Sequence, residues 1–391
     1  MSTLHVEMIA SETALSLLEP EWVALERSSG NTLPFRTFAW TACWWQHLRE
    51  DRLALKDSLA VLAVRASDGR LVGVAPMMQT DRPSVGPLRA RCLQFIGADP
   101  NVTEIRGALC EPPLEPDCYA AIHGEILRSL DGIDWVCWTG IDERHGAREA
   151  LGAADVQWGD GNACYTLDLP ATWEELRASR PSNLKESLRK CYRSLQRDGL
   201  DLRVEVVTQG VDAGPALEDV FRLHAARAAM ADTVRHKDVF QDAACRAFLA
   251  DVCGRLAERN ALRIFRLYAG DVLAATRIAF VLGGSMYLYY SGFDPAYAKY
   301  GVATTIVAEA IRRAIDEGLT SVNLSSGKDQ SKLRWRPTEI AFREALLISP
   351  TALGRAKYGV ISAAGRAMTE SSVGRRAQRL LSRRAPRPAP P

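Results

Sequence analysis

The chain has 391 residues, 47% of them hydrophobic and 25% charged, and a formal net charge of +2. This is the make-up of an ordinary globular protein, long enough for two to three domains at roughly 150 residues each. It excludes a molecule that captures polyanions by overall charge, and no apolar run approaches the roughly 18 residues that cross a bilayer.

The start, MSTLHVEMIASETALSLLEPEW, carries acids where a secretory leader needs a basic stretch and an apolar core, so a cytoplasmic location is expected. Nine cysteines are dispersed without CxxC pairs or metal-like spacing, which suits reduced thiols and no metal site. Cys43, Cys92, Cys137, Cys191 and Cys253 stand in apolar surroundings and are expected in the core. Leu59 to Thr80 reads as strand, SDG turn, strand. DCYAAIHGEILRSLDGIDWVCWTGI then predicts a helix to about Leu130 and a strand WVCWTGI. In the middle, SNLKESLRKCYRSLQRDG predicts a helix capped by Asn183, with Glu186 at the capping-box position. Leu184, Leu188, Cys191 and Leu195 form its buried stripe. Lys185, Arg189, Arg193 and Arg197 recur every four residues on another side, with Lys190 nearby. Like charges at that spacing repel, so the row points to an anionic partner such as a nucleotide-sugar, a lipid phosphate or RNA, or else to a solvated face. In FRLHAARAAM, His224 and Arg227 share a helix face.

Leu262 to Phe293 reads as strand, AGD turn, strand, LGG turn, strand; a helix to Glu317 and a strand SVNLSS follow. The order strand–strand–helix–strand thus occurs twice, offset by roughly 200 residues, longer than a solenoid period. Both helices end in acid–glycine, Asp131-Gly132 and Glu317-Gly318, a stop signal. We read two homologous α/β units rather than one large sheet. They differ ahead of the helix. The second has AKYGVAT, where Gly301 leaves backbone N–H groups uncovered at a helix N-terminus, a site for an anion. The first has CEPPLEPDCY, whose Pro112, Pro113 and Pro116 lack N–H groups and cannot form such a cradle.

This pattern resembles the GNAT acyltransferase fold, whose loop signature is Gln/Arg-x-x-Gly-x-Gly/Ala. Gly301, Val302 and Ala303 match its second half; Ala298 stands at the Gln/Arg position, with Lys299 as an available charge. FRTFAWTACWWQHL, SNLKESLRKCYRSLQRDG and YLYYSGFDPAYAKYGVATTIVAEAIRRAIDEG followed by KDQSKLRW are similar to the double-GNAT family related to CelD (BioF-type acetyltransferase-like). The similarity extends to Fem-type aminoacyl transferases through the lysine–aromatic motif, here Lys332 to Trp335, with Ser331 in place of the usual tyrosine.

The resemblance implies an α/β (α+β) chain of two GNAT-like domains, each a mixed twisted sheet flanked by helices. Residues 1–158 would be a degenerate copy, 159–349 the acyltransferase domain, and 350–391 a basic tail. It implies transfer from acetyl-CoA or another acyl-CoA to an amine or hydroxyl, with a small-molecule or glycan-precursor acceptor. The splayed strand, Tyr287 to Gly292, would hold the acyl group, with Tyr290 at the cofactor. Lys299, Gly301, Val302, Ala303, Thr304 and Thr305 would hold the pyrophosphate. Arg189, Arg193, Lys332 and Trp335 would meet the substrate. The candidate bases are Asp294, which also reads as a turn residue, and His224, which also reads as a structural histidine. The tyrosine that GNAT enzymes often place after the last strand has no counterpart in SSGKDQSKLRWRP. No GxSxG elbow, Walker loop or HExxH occurs. Two rivals stand beside this reading: a Fem-type transferase using aminoacyl-tRNA, and a non-catalytic scaffold for glycan synthesis. From Arg355 onward nine basic residues meet one acid, a net of +8 that leaves −6 for the rest. This end reads as a solubilising tail or as a contact for an acidic membrane surface or nucleic acid.

Overall fold

The computed structural model describes residues 4–99, 101–129, 132–152, 156–208, 212–230 and 237–370, with only the backbone described from 365 on. The chain opens with β1 (His5–Ile9) and helices α1 (Glu12–Leu17), α2 (Glu19–Ser28) and α3 (Phe38–Leu48). A long hairpin follows, made of β2 (Asp51–Arg52), β3 (Leu55–Leu59), β4 (Val61–Arg65), β5 (Leu71–Ala75) and β6 (Met77–Arg82). It bends at Ala60 and Pro76. Proline has no N–H to give the ladder, and pairing resumes with Ala60 N donating to Met77 O at 3.1 Å. The two parts of the hairpin therefore enter different sheets. Next come β7 (Ala90–Phe95), β8 (Leu109–Cys110), α4 (Glu115–Arg128), β9 (Trp135–Asp142) and α5 (Ala147–Ala150). Strand β10 (Val156–Asp168) runs through the 158/159 position and leads to α6 (Trp173–Ser179) and α7 (Ser182–Arg197). Then follow β11 (Leu202–Val207), α8 (Ala213–Ala228), α9 (Ala243–Glu258), β12 (Leu262–Ala269), β13 (Val272–Leu282) and β14 (Ser285–Phe293). The last elements are α10 (Val302–Asp316), β15 (Ser321–Ser326), α11 (Gln330–Leu333), β16 (Thr338–Ile348) and α12 (Ala352–Glu370).

A small sheet has the order β1-β4-β5-β8, and a twelve-stranded sheet the order β11-β12-β13-β14-β15-β10-β16-β9-β7-β6-β3-β2. The repeat is real in topology. In one half β6 and β7 are antiparallel and α4 crosses to the parallel β9; in the other β13 and β14 are antiparallel and α10 crosses to the parallel β15. The match expected from sequence is off by one strand pair, because β7, not β5, precedes the crossover. The expectation of two separate sheets also fails. Strand β16 pairs with β10 on one side and with β9 on the other, so the sheet is continuous. Leu130 and Asp131, part of the expected helix end, lie outside the described residues. Helix α7 starts at Ser182 behind Pro181, so Asn183 is not its cap; its side chain instead accepts from Leu184 N at 2.8 Å. The buried stripe of α7 is the expected one.

One apolar cluster runs from Ile9 to Phe342 and draws on both halves. Trp40 of α3 sits at its centre, with ring contacts to Phe35 (4.7 Å), Phe248 (5.1 Å), Tyr289 (5.6 Å) and Phe280 (6.2 Å). Its indole N–H donates to Thr103 at 3.1 Å. Ion pairs bridge the halves, among them buried Glu26 with Arg259 and Glu143 with Arg343, both at 2.7 Å, and His47 Nε2 lies 2.6 Å from Asp251. A shared core and a shared sheet make the halves one cooperative unit. We expect Trp40→Ala to cost about 3–5 kcal/mol, as large-to-small changes of buried aromatics do. Thermal unfolding should keep one transition at a lower midpoint; a second transition, with one half melting alone, would refute the shared core.

Candidate functional site

Strands β14 and β15 pair in parallel only from Ser285–Ser321 to Tyr287–Asn323 and then part. Each carries a bulge at the parting. On β14, Tyr289 and Tyr290 together oppose the single Ile278 of β13; on β15, Leu324 and Ser325 oppose the single Tyr165 of β10. Ser325 takes φ +74°, a left-handed conformation that costs a non-glycine residue energy. A bulge turns its strand and re-aims its side chains. Here the outcome is a cleft between two strands of one sheet.

The first half supplies what holds the cleft. The loop from β7 to β8 is folded on Asp99, which accepts from Trp44 Nε1 at 2.9 Å, Thr103 Oγ1 at 2.8 Å and Asn101 N at 2.9 Å. It receives the hydroxyls of three tyrosines of β14. Tyr290 donates to Asn101 O, Tyr289 to Val102 O, and Tyr287 to Glu104 Oε2 at 2.7 Å. Glu104 also accepts from Ser326 N and Ser325 Oγ, both at 2.8 Å, so its carboxylate links the two parting strands. Burial and then the Glu104 charge hold the Tyr287 pKa well above the usual phenol range, which keeps it a donor.

Cations gather on the same cleft. Arg277 of β13 donates to Tyr289 O at 3.2 Å and to Ser291 Oγ at 3.1 Å, and its buried Nε has no partner among the described residues. Arg227 of α8 approaches the same Ser291 hydroxyl at 3.4 Å. Burial, then the neighbouring Arg227, push the Arg277 pKa down to about 10. Lys332 turns back on the carbonyls of Ser326 and Gly327 and lies 3.7 Å from Asp329. Burial lowers its pKa, with Asp329 opposing.

At the other end of the cleft α10 begins. Gly301 has φ +68°, and a Cβ there would lie 2.5 Å from Cys191 Sγ of α7, so no larger residue fits. The amides of Gly301, Thr304 and Thr305 are bonded within the turn, while those of Val302 and Ala303 have no partner among the described residues. Arg334 donates to Thr304 Oγ1 at 2.6 Å and approaches Ser187 of α7 at 3.5 Å. Burial lowers its pKa, its Nε has no partner, and no carboxylate pairs with it among the described residues. The helix start thus combines two free amides, a hydroxyl and a guanidinium.

The expected residues divide. Gly301, Val302, Ala303 and Thr304 form this helix start, and Lys332 lies on the cleft. Thr305 is buried and turns its hydroxyl back to Gly301 O at 3.3 Å. Lys299 is exposed over the Tyr300 ring, at 4.8 Å. Tyr290 spends its hydroxyl on Asn101 and its ring on His224, Phe240 and Tyr289. Asp294 caps the turn before α10, accepting from Ala296 N at 2.9 Å, which is the turn role. His224 is buried with Nδ1 at 3.2 Å from Ser291 O and Nε2 at 3.3 Å from Lys237 O, so neither ring nitrogen is offered to a substrate. Trp335 is a core residue, 1% exposed, and cannot touch a substrate. Arg189 and Arg193 are exposed on α7, away from its buried stripe and from the Ser187–Cys191 edge that meets α10. Sequence reading missed Glu104, Arg277, Ser325 and Arg334. Arg334 stands between Lys332 and Trp335, and Arg277 interrupts an apolar strand, which was its only local signal.

Residues 182–333 match a family described as an acetyltransferase (GNAT) domain. No curated protein sequence matches the chain significantly. Among solved structures, FemX superposes with a TM-score of 0.62 at 10% identity, over 91% of this chain and 99% of that one. A conserved protein of unknown function from Bacteroides thetaiotaomicron does so with a TM-score of 0.54 at 13% identity, over 88% and 100%. The chain is therefore similar to acetyltransferase (GNAT) domains over residues 182–333 and shares the fold of FemX over most of its length.

Proposed function

We propose that the chain is an acyltransferase that takes its acyl group from an acyl-CoA, such as acetyl-CoA. The observation that carries this reading is the α10 start beside the parted strands: the open amides of Val302 and Ala303, with Arg334 and Thr304 alongside. Amides, a hydroxyl and a guanidinium suit a diphosphate. Gly301 lets the backbone come close, since any Cβ would strike Cys191. The thioester supplies the acyl group; this chain's residues hold and orient it in the cleft between β14 and β15. Lys332 places a positive charge where a carbonyl oxygen becomes negative. Glu104 receives the proton of the acceptor's amine or hydroxyl as that atom bonds to the acyl carbon, and the C–S bond breaks to release the coenzyme A thiolate, which takes a proton from water. Among the described residues the Oε2 of Glu104 is taken by three donors, while Oε1 has one bond, from Ser325 at 3.0 Å. Ser325, Ser326 and Tyr287 act as positioning residues for it. The acceptor we favour is an amino sugar or another surface-polysaccharide precursor.

Acetyl-CoA should raise the melting temperature, because a ligand that binds only the folded state stabilises it. Arg334→Ala should weaken acetyl-CoA binding about tenfold to a hundredfold in calorimetry, from the loss of a charge-assisted hydrogen bond. An unchanged affinity in that variant, or no heat with the parent chain at millimolar ligand, would remove the reading.

Glu104→Gln keeps the shape and removes the base. It should lower kcat by about 10²–10⁴ with little change in KM, and an equal kcat would discard the assignment. Burial sets the Lys332 pKa below that of a free lysine, so its charge is lost earlier as pH rises. Activity should fall on the alkaline side, and Lys332→Arg should move that fall to higher pH, since guanidinium stays charged. A limb that does not move would assign it to another group.

A second reading, with aminoacyl-tRNA as donor, draws on α7. Arg189, Lys190 and Arg193 are exposed there and form no ion pair among the described residues, whereas Arg197 pairs with Asp198 at 2.9 Å. Three phosphate contacts would give a log–log salt slope of roughly −2 to −3. Tight tRNA binding with that slope, and no response to acetyl-CoA, would favour it.

A further inference from the structure

Nine large apolar side chains are strongly exposed among the described residues, and five of them, Leu53, Val85, Leu88, Leu127 and Leu353, lie on or beside the walls of two adjoining clefts. Val85 and Leu88 form the tip of the β6–β7 loop, Leu53 lies on the neighbouring β2–β3 turn, and Leu127 is on the outer face of α4. Leu353 and Val360 are on α12. The tip is no partly covered edge: Leu88 is 79% and Leu53 77% exposed. The two clefts connect these elements and share Arg89. One, of about 830 Å³, is walled by the loop tip, Leu127 and Leu353; the other by Leu53 and Val85.

Helix α12 is sided in a way that fits. Tyr358 and Ile361 pack on the sheet, with the Tyr358 ring 5.6 Å from Trp135. Leu353 and Val360, two turns apart, point the other way, with Ala356 between them exposed. Lys357 is fixed to Asp134 at 3.3 Å, which holds the helix against the domain.

The charge is placed to match. Arg52, Lys56 and Arg89 are paired locally with Glu50, Asp51 and Asp81. The excess is elsewhere. Arg82 and Arg355 are exposed without an ion pair among the described residues, and the segment from Arg355 to the end carries a net +8 against −6 for the rest. In the sequence this basic segment starts at Arg355, just after Leu353, and continues past the end of α12. Exposed apolar groups of this size rimmed by cations are the signature of a membrane-surface contact.

We propose that this end of the molecule docks on an anionic phospholipid surface. Leu53, Val85, Leu88, Leu353 and Val360 enter the headgroup boundary, and Arg82 and Arg355 meet lipid phosphates. Each cation near such a surface adds about fivefold to binding. The contact is built on α12 and on the β7-β6-β3-β2 end of the large sheet, whereas the β14–β15 cleft lies nearer the other end, so docking leaves the cleft open.

The test is co-sedimentation of the full chain with vesicles of phosphatidylcholine alone and of equal parts phosphatidylcholine and phosphatidylglycerol. The chain should pellet with the second and not the first, and binding should fall as salt rises. Leu88→Ser with Leu353→Ser should keep the melting temperature, since both residues are exposed, and lose about tenfold or more in vesicle affinity. No pelleting with phosphatidylglycerol vesicles overturns the proposal. Undiminished binding by the double variant, with equal binding to soluble heparin, overturns it in favour of a polyanion partner. A dimer in light scattering that the double variant abolishes, without vesicle binding, overturns it in favour of a second copy of the chain.

Discussion

The carboxylate of Glu104 is the point on which the candidate site turns. It accepts from Tyr287 of one parting strand and from Ser325 and Ser326 of the other. A half-buried carboxylate needs such donors, since an unpaired one is costly. The two bulged strands need something between them, because backbone groups that no longer pair must find partners. Each requirement meets the other. The left-handed Ser325 is tolerable because its amide bonds to Asn323 at 2.9 Å and its hydroxyl to Glu104.

The two halves show how one topology is put to different ends. Both cross from one strand to its parallel neighbour through a helix. In the second half that helix begins at a glycine held against Cys191, with two amides open. In the first, Pro112, Pro113 and Pro116 lead into α4, so its first turn offers little to an anion. The first half contributes instead through the β7–β8 loop, which takes three tyrosine hydroxyls and presents Glu104. What it lacks at its own helix it supplies at its neighbour's cleft.

Local features were legible in the sequence. Gly301 marked the start of α10, the α7 stripe of Leu184, Leu188, Cys191 and Leu195 was read from spacing, and β12 to β15 fell where the turns placed them. Features that depend on closure were not. Glu104 and Ser325 are 221 positions apart, and no pattern within either segment joins them. His224 was placed on the right helix face, but the carbonyls that occupy its ring come from Ser291 and Lys237, in other segments. Trp335 read as a motif residue and is core, because its neighbours in space were not visible in its neighbours in sequence. The continuity of the sheet was hidden for the same reason: β16 reads as a strand, and nothing local says that it has two partners from different halves.

That shared strand bears on inheritance. Two copies of a unit normally stay separable, and each can drift, be lost or be traded. Here β10 begins beside β16, and β16 lies between β10 and β9. A piece ending or starting near residue 158 would split β10 and bare the Phe342–Ile348 stretch of β16 that β9 covers, the kind of open edge that recruits other chains. The duplicated halves can change only together, so selection on the cleft in one half reaches the packing of the other.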